Sequence, residues 1–212
     1  MTMPECYIVA AGDFSEGALP IAQHDLVIAA DGGYSHLQAI GARVDLVVGD
    51  FDSSPEPTGV KVIRLPVEKD DTDMLAAIRL GLMRGYSRFR LYGGLGGMLS
   101  HTLANVQCLA FLREHGARGW LYGADVALTL LQEETLTLSC TAGEPLSVFA
   151  FDEKAEGVTL TGLQYTLEDA TIGNGFPIGV SNAFADAVAT ISVRCGRLLV
   201  LCPRTATVIE EK

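Results

Sequence analysis

Short apolar runs, each closed by glycine or aspartate and separated by stretches of helical periodicity, fill the first 125 residues. That alternation restricts the possible folds more than any other feature of the chain. Cys6–Ala11 (CYIVAA) reads as a buried strand followed by a Gly-Asp turn, and Leu26–Ala30 (LVIAA) as a second, closed by Asp31-Gly32-Gly33. Asp45–Val48, Lys61–Leu65 and Phe89–Tyr92 are the third, fourth and fifth strands, and Gly119–Leu121 begins a sixth, with Trp120 expected in the core. Between them lie three helical segments. Tyr34–Ile40 is short and is closed by Gly41. Asp73 to Arg84 starts at an N-cap, Asp71 or Thr72, and ends at Gly85. In it Met74, Leu75, Ile78 and Leu82 recur at three- and four-residue intervals, which is one helix face. The third runs from Ser100, a residue able to cap it, to Glu114. Uniformly apolar strands alternating with helices predict a mostly parallel sheet covered on both faces.

The pattern changes near residue 125. Beyond it come alternating runs (LTLLQ, TLTLS, LSVFAF, VTLTGL, AVATISV, LLVLC) separated by turn signals such as Ala142-Gly143, Glu156-Gly157 and Cys195-Gly196. Period-two alternation without helical segments predicts an all-β module, a sandwich or barrel. The expected architecture is therefore α/β: a Rossmann-like domain over residues 1–125, with a mostly parallel sheet and flanking helices, and a β-sandwich over residues 126–212.

Charge narrows the partners. Lys and Arg total 15 against 26 Asp and Glu, a net charge of −11 that argues against a nucleic-acid partner. Five cysteines (Cys6, Cys108, Cys140, Cys195, Cys202) are scattered, with no CxxC spacing. They are expected to be buried free thiols of a protein in the reducing cytoplasm. The first residues show neither a basic n-region nor a long apolar h-region, and no apolar run reaches the ~18 residues of a membrane span. A membrane partner is therefore not expected.

The chemistry lies in where the acids fall. Asp31 follows the second strand, Asp50 and Asp52 follow the third, and Asp70, Asp71 and Asp73 precede the main helix. In open α/β sheets ligands bind outside the carboxyl ends of the strands. Carboxylates gathered there repel one another; at an effective dielectric of ~20, a pair 4 Å apart costs about 4 kcal/mol. Magnesium, which takes hard oxygen ligands together with substrate phosphates, offsets such a cost. Gly93-Gly94-Leu95-Gly96-Gly97, between a strand and a helix N-terminus, is the complementary half. Glycine lets backbone N–H groups approach phosphate, and the helix dipole favours the anion. The segment is neither GxGxxG nor a P-loop. Metal and phosphate sites on one sheet edge point to a nucleotide di- or triphosphate.

Ala30-Asp31-Gly32-Gly33, Gly49-Asp50-Phe51-Asp52-Ser53, Lys69-Asp70-Asp71-Thr72-Asp73, and Gly93 to Gly97 followed by His101 and Asn105 resemble the bacterial thiamine pyrophosphokinases. In the β half, Leu163–Leu167 (LQYTL) and Gly179-Val180-Ser181-Asn182 resemble that family's thiamine-binding domain. The resemblance spans nearly the whole chain in order. It implies pyrophosphoryl transfer from ATP to the thiamine hydroxyl, with AMP leaving, by a homodimer whose site lies between subunits. It implies magnesium on Asp50, Asp52 and Asp73. For such a transfer Asp71 or Asp73 is the candidate acceptor of the hydroxyl proton. Nucleotide would be held at Asp31, Gly32, Gly93, Gly94, Gly97, His101 and Asn105, and thiamine near Tyr165, Ser181 and Asn182. The segment from Tyr165 to Phe184 has aromatic and amide groups, including Asn174, Phe176 and Phe184, and no Lys or Arg, which suits a cationic ring.

Two departures from the family pattern stand out. Where the family has Gly-Gly-Arg-x-Asp-His, this chain has Gly96-Gly97-Met98-Leu99-Ser100-His101, and where the family has Glu after Ser-Asn it has Ala183. The phosphate half does not by itself set the acceptor, so transfer to a hydroxymethylpterin is an alternative. An inactive relative that holds thiamine or nucleotide is another.

Overall fold

In the computed structural model, residues 3–51, 56–66 and 71–211 are described. Two compact units make up the chain, Met1–Ala124 and Asp125–Lys212.

The first unit contains β1 (Cys6–Val9), β2 (Leu26–Ala30), α1 (Gly33–Ala39), β3 (Leu46–Gly49), β4 (Val62–Arg64), α2 (Asp73–Met83), β5 (Arg88–Tyr92), α3 (Leu99–Glu114) and β6 (Arg118–Tyr122). The strands lie in the order β6-β5-β1-β2-β3-β4, and every pairing among them is parallel. β1, β2 and β3 are buried along their whole lengths, as strands covered on both faces must be. On α2, Met74 and Ile78 are buried as the periodicity predicts, but Ala77 and Gly81 complete the face while Leu75 and Leu82 are only half-buried. Small residues serve there because the helix lies close to the sheet: a methyl group on Gly81 would meet the Phe89 ring and Cys6 Sγ. Thr72, not Asp71, is the cap, its Oγ1 accepting from Leu75 N–H at 3.2 Å. Ser100 does not cap α3, which begins one residue earlier behind Met98 with no side-chain cap. Trp120 lies in β6 but is only half-buried and stacks on Tyr122, with centroids 6.4 Å apart, instead of filling the core.

The strand order explains where a ligand can enter. From β1 the chain winds outward through β2, β3 and β4, then crosses back to place β5 on the other side of β1. The strand order therefore reverses at β1, the place where open α/β sheets have a crevice at the carboxyl ends of their strands.

The second unit consists of β7 (Val126–Gln132), β8 (Thr135–Ser139), β9 (Pro145–Ala150), β10 (Lys154–Thr161), β11 (Leu167–Gly173), β12 (Asn182–Ala183), β13 (Val188–Ser192), β14 (Arg197–Pro203) and β15 (Thr207–Glu211). It is a sandwich of two antiparallel sheets, β12-β9-β14-β7 and β11-β10-β13-β8-β15. β8, β9, β13 and β14 alternate buried and less buried residues, the signature of one face in a core. Cys6, Cys108 and Cys202 are buried, and burial pushes the Cys108 thiol up to about 11 and that of Cys202 up to about 12. Cys140 is half-buried and Cys195 exposed, so not every thiol is interior as expected.

Candidate active site

A cleft of about 420 Å³ occupies that crevice. Ala10, Ala11 and Gly12 after β1, Ala30 and Asp31 at the end of β2, and Gly93, Gly94, Gly96 and Gly97 after β5 form its base. Thr72, Asp73 and Met74 at the start of α2, and Met98, His101 and Asn105 on α3, complete it.

Backbone pairing sets its floor. Beyond the last ladder residues, Ala10 N–H donates to Tyr92 O, Gly12 N–H to Gly93 O and Asp13 N–H to Leu95 O, at 2.9, 2.8 and 3.1 Å. The loops after β1 and β5 are thereby zipped together. Gly93 is obligatory in this arrangement: its φ is +63°, and a Cβ there would collide with Ala10 O. On α3 the buried Asn105 reaches back, its Nδ2 donating to Gly94 O at 2.8 Å, so the glycine segment is fixed at its centre as well. His36 Nε2 lies 3.1 Å from Gly12 O, and its ring stacks on Phe14 with centroids 5.1 Å apart, holding the β1 loop from the other side.

The acids divide. Asp31 is held in the left-handed region at φ 48° by Asp31 N–H donating to Val48 O at 2.8 Å, and its Oδ1 is buried with no hydrogen-bond partner. A buried carboxylate oxygen without a donor is costly and marks a place where a cation or a ligand donor is accommodated. Asp73 opens α2 and lines the same cleft. Asp50 follows β3 and is half-buried, outside the residues that line the cleft, and Phe51 beside it also has a positive φ, 56°. Asp71 turns to Arg79, with Oδ2 2.9 Å from Nε, and does not line the cleft. Asp52 and Asp70 fall outside the described residues. Among the described residues no group of three His, Cys, Asp or Glu side chains stands close enough to hold a metal ion by itself.

The remaining nucleotide candidates meet in the cleft with one exception. Gly93, Gly94, Gly97, His101 and Asn105 line it; Gly32 lies beside it, in a neighbouring hollow that shares Asp31. His101 is exposed, so it is available to a ligand and is not packing material.

Asp13 stands beside the glycine segment without belonging to any of the sequence motifs. Its carboxylate lies against Gly96, where an added Cβ would strike Oδ2. A Gly-Asp pair marks both places in the sequence, although Gly12-Asp13 lies three residues beyond β1 whereas Gly49-Asp50 closes β3 directly.

In the second unit, Tyr165 is 69% exposed and Phe176 68%, whereas Phe184 is fully buried and belongs to the core, contrary to expectation. Ser181 is exposed at φ 61°, its N–H donating to Ser147 Oγ at 3.2 Å. Asn182 is buried. Its Oδ1 accepts from Tyr165 N–H at 3.0 Å and from Ala183 N–H at 2.9 Å, and its Nδ2 donates to Tyr165 O at 2.6 Å. Asn182 thus clamps Tyr165 in place rather than facing solvent.

Comparison with known proteins places the chain in a family. The family model "Thiamin pyrophosphokinase, catalytic domain" matches residues 19–121, and "Thiamin pyrophosphokinase, vitamin B1 binding domain" matches residues 133–198. The chain belongs to the thiamin pyrophosphokinase family. Thiamine pyrophosphokinase of Bacillus subtilis (strain 168) is 25% identical over 196 residues, covering 84% of this chain and 87% of that protein. The crystal structure of a Bacillus subtilis thiamine pyrophosphokinase superposes with a TM-score of 0.83 at 24% identity, over 95% of this chain and 99% of the other. That of a thiamin pyrophosphokinase from Geobacillus thermodenitrificans gives 0.79 at 26%, over 94% and 97%. The α/β unit with its cleft is the thiamin pyrophosphokinase catalytic domain, and the sandwich carries that family's vitamin B1 binding domain.

Proposed function

We infer that this protein transfers the pyrophosphoryl group of ATP to the hydroxyl of thiamine, giving thiamine diphosphate and AMP. The observation that carries this reading is the presence, in one chain, of the catalytic domain that contains the cleft and of a vitamin B1 binding domain. The second of these disfavours a hydroxymethylpterin as acceptor.

The residues present suit magnesium. Asp31 Oδ1 is buried and unpartnered, Asp73 shares its cleft, and both are hard oxygen donors of the kind this ion takes. Asp50, Asp52 and Asp73 would hold it, and when bound it neutralises charge on the phosphates. The chain's own groups do the rest. Backbone N–H groups of Gly93–Gly97 and the uncapped start of α3 receive phosphate oxygens, with Asn105 keeping that segment in place. The thiamine oxygen bonds to the β-phosphorus as the bond from that phosphorus to the α–β bridging oxygen breaks, and AMP departs with the bridging oxygen. The hydroxyl proton passes to a carboxylate oxygen of Asp73, which lines the cleft as Asp71 does not. Tyr165 and Ser181 contact thiamine, and Asn182 positions Tyr165.

We propose further, on the family resemblance, a cytoplasmic homodimer with the site at the subunit interface; light scattering on the purified protein tests the dimer. Among the described residues no helix is long and apolar enough to cross a membrane.

The deciding experiment is incubation with ATP, magnesium and either thiamine or 6-hydroxymethylpterin, with chromatographic detection of AMP and the diphosphorylated acceptor. AMP and thiamine diphosphate should form together, with thiamine only, and Asp50→Asn should abolish both while leaving the circular dichroism spectrum unchanged. If neither product forms with the wild-type chain, the assignment fails.

A further inference from the structure

We propose that Arg79 is a positioning residue for the transfer: by tying Asp71 to Phe111 it sets where Thr72 and Asp73 stand in the cleft. The inference deepens the functional reading above and rests on it. Asp73 lines the cleft from the first position of α2, and Met98, His101 and Asn105 line it from the start of α3. A nucleotide held there depends on how these two helix starts are spaced. The first backbone N–H groups of a helix have no partners within it, so side chains locate its start. Thr72 Oγ1, accepting from Leu75 N–H at 3.2 Å, is one such tie, but it is local to α2.

Arg79 reaches further. Helical side chains lean towards the N-terminus, and Arg79, in the second turn of α2, leans back over the helix start. Its Nε lies 2.9 Å from Asp71 Oδ2, just outside the helix. Its guanidinium carbon also lies 4.9 Å from the centre of the Phe111 ring on α3. Phe111 packs in turn on His115, with centroids 4.1 Å apart. One planar cation thus joins the segment entering α2 to the neighbouring helix. Asp71 is near enough to α3 that its charge adds to burial, the larger cause, in raising the Cys108 thiol. The two paired side chains are 49% and 34% exposed, so the ion pair contributes little to global stability. What it restricts is the entry to α2. A displacement of about 1 Å at a reacting group, caused by a change outside the chemistry, lowers rates by up to about 100-fold.

The test is steady-state kinetics of thiamine diphosphate formation at saturating ATP and magnesium, with thermal midpoints. The proteins compared are the wild type, Arg79→Gln, Arg79→Lys, Asp71→Asn and the double variant Asp71→Asn/Arg79→Gln. A partly exposed ion pair and a cation–π contact each bias a conformation a few-fold, so Arg79→Gln, which loses both, should lower kcat by about five- to tenfold. Asp71→Asn loses only the ion pair and should lower kcat by about threefold. The double variant should be no worse than Arg79→Gln, because the partner is already gone. Arg79→Lys keeps the charge without the planar fork and should fall between wild type and Arg79→Gln. The KM for thiamine should stay within about twofold of wild type throughout, since binding of the acceptor is not what the tie controls. A purely structural pair would move the midpoints and leave kcat, measured well below them, unchanged. Wild-type kcat in Arg79→Gln would therefore overturn the inference, as would losses that multiply in the double variant. A fall of about 100-fold or more in Asp71→Asn alone would make Asp71 itself the proton acceptor and overturn its place as the anchor. No AMP from the wild-type chain would overturn the functional reading and the inference with it.

Discussion

Replacing Asn105 separates two roles that the sequence could not distinguish, a direct nucleotide contact and a brace for the glycine segment. In the structure Asn105 is 7% exposed, and its Nδ2 donates at 2.8 Å to the carbonyl of Gly94, itself buried. Asn105→Ala removes the donor and leaves that carbonyl unpaired in the interior. The cost of such an orphaned acceptor is about 1–3 kcal/mol. Taking ~2 kcal/mol as the centre, the thermal midpoint should fall by roughly 4–8 °C for a protein of this size. Asn105→Asp keeps the shape but turns an acceptor, and when ionised a charge, towards Gly94 O, so it should be less stable than the alanine variant. Because the segment would no longer be pinned, the KM for ATP should rise several-fold while that for thiamine stays near the wild-type value. Thermal unfolding and steady-state kinetics on the three proteins provide both readouts. If Asn105→Asp unfolds at the wild-type temperature and only ATP affinity suffers, Asn105 is a ligand contact and the brace argument is wrong.

Asp31→Asn should leave the apo protein as stable or more stable by up to ~1 kcal/mol, since it discharges a buried oxygen that has no donor, and should lower AMP formation at least about tenfold; full activity would remove Asp31 from the site. A thiol-reactive disulfide reagent at neutral pH should label Cys195 rapidly and Cys140 more slowly. Cys6, Cys108 and Cys202, buried and with raised thiol pKa values, should react only on unfolding; fast labelling of a third thiol would contradict the burial. The Arg197 guanidinium bonds the Asp152 carboxylate at 2.6 Å and lowers its pKa. That pair therefore contributes stability that is complete above the ordinary carboxylate pKa and is lost as pH falls through the depressed value. Acid unfolding of Asp152→Asn should accordingly show a shallower pH dependence than wild type, and parallel curves would refute the linkage.

The α/β half was legible because its strands are buried on both faces and are punctuated by Gly and Asp; all six strands and three helices lie where the patterning put them, with ends moved by a residue or two. The sandwich was read less completely. β11, β12 and β15 gave no signal, since Leu167–Gly173 and Thr207–Glu211 are outer strands with mostly exposed or half-buried residues, and Asn182–Ala183 is only two residues long. An outer strand pairs on one side only and needs no continuous apolar face. At the candidate site, strand-end position predicted that Asp31 and the glycine segment share one sheet edge, and they line one cleft. Whether Asp71 faces the cleft or Arg79, and whether Phe184 is surface or core, depended on side-chain direction, which one-dimensional patterning near a turn does not carry.

Three of the non-glycine residues with positive φ, namely Asp31, Phe51 and Ser181, sit inside the motifs tied to ligand binding. Each holds a conformation that costs an L-residue about 1–2 kcal/mol and that glycine would adopt freely. Engineering for heat resistance would therefore be drawn to these very positions, because glycine there relaxes the backbone, and at Asp31 or Ser181 it would also erase a group proposed to meet substrate. Selection for robustness and selection for turnover pull in opposite directions at the same few sites. A library screened for melting temperature alone should accumulate dead enzymes at positions 31 and 181, and one screened for activity should retain the strain.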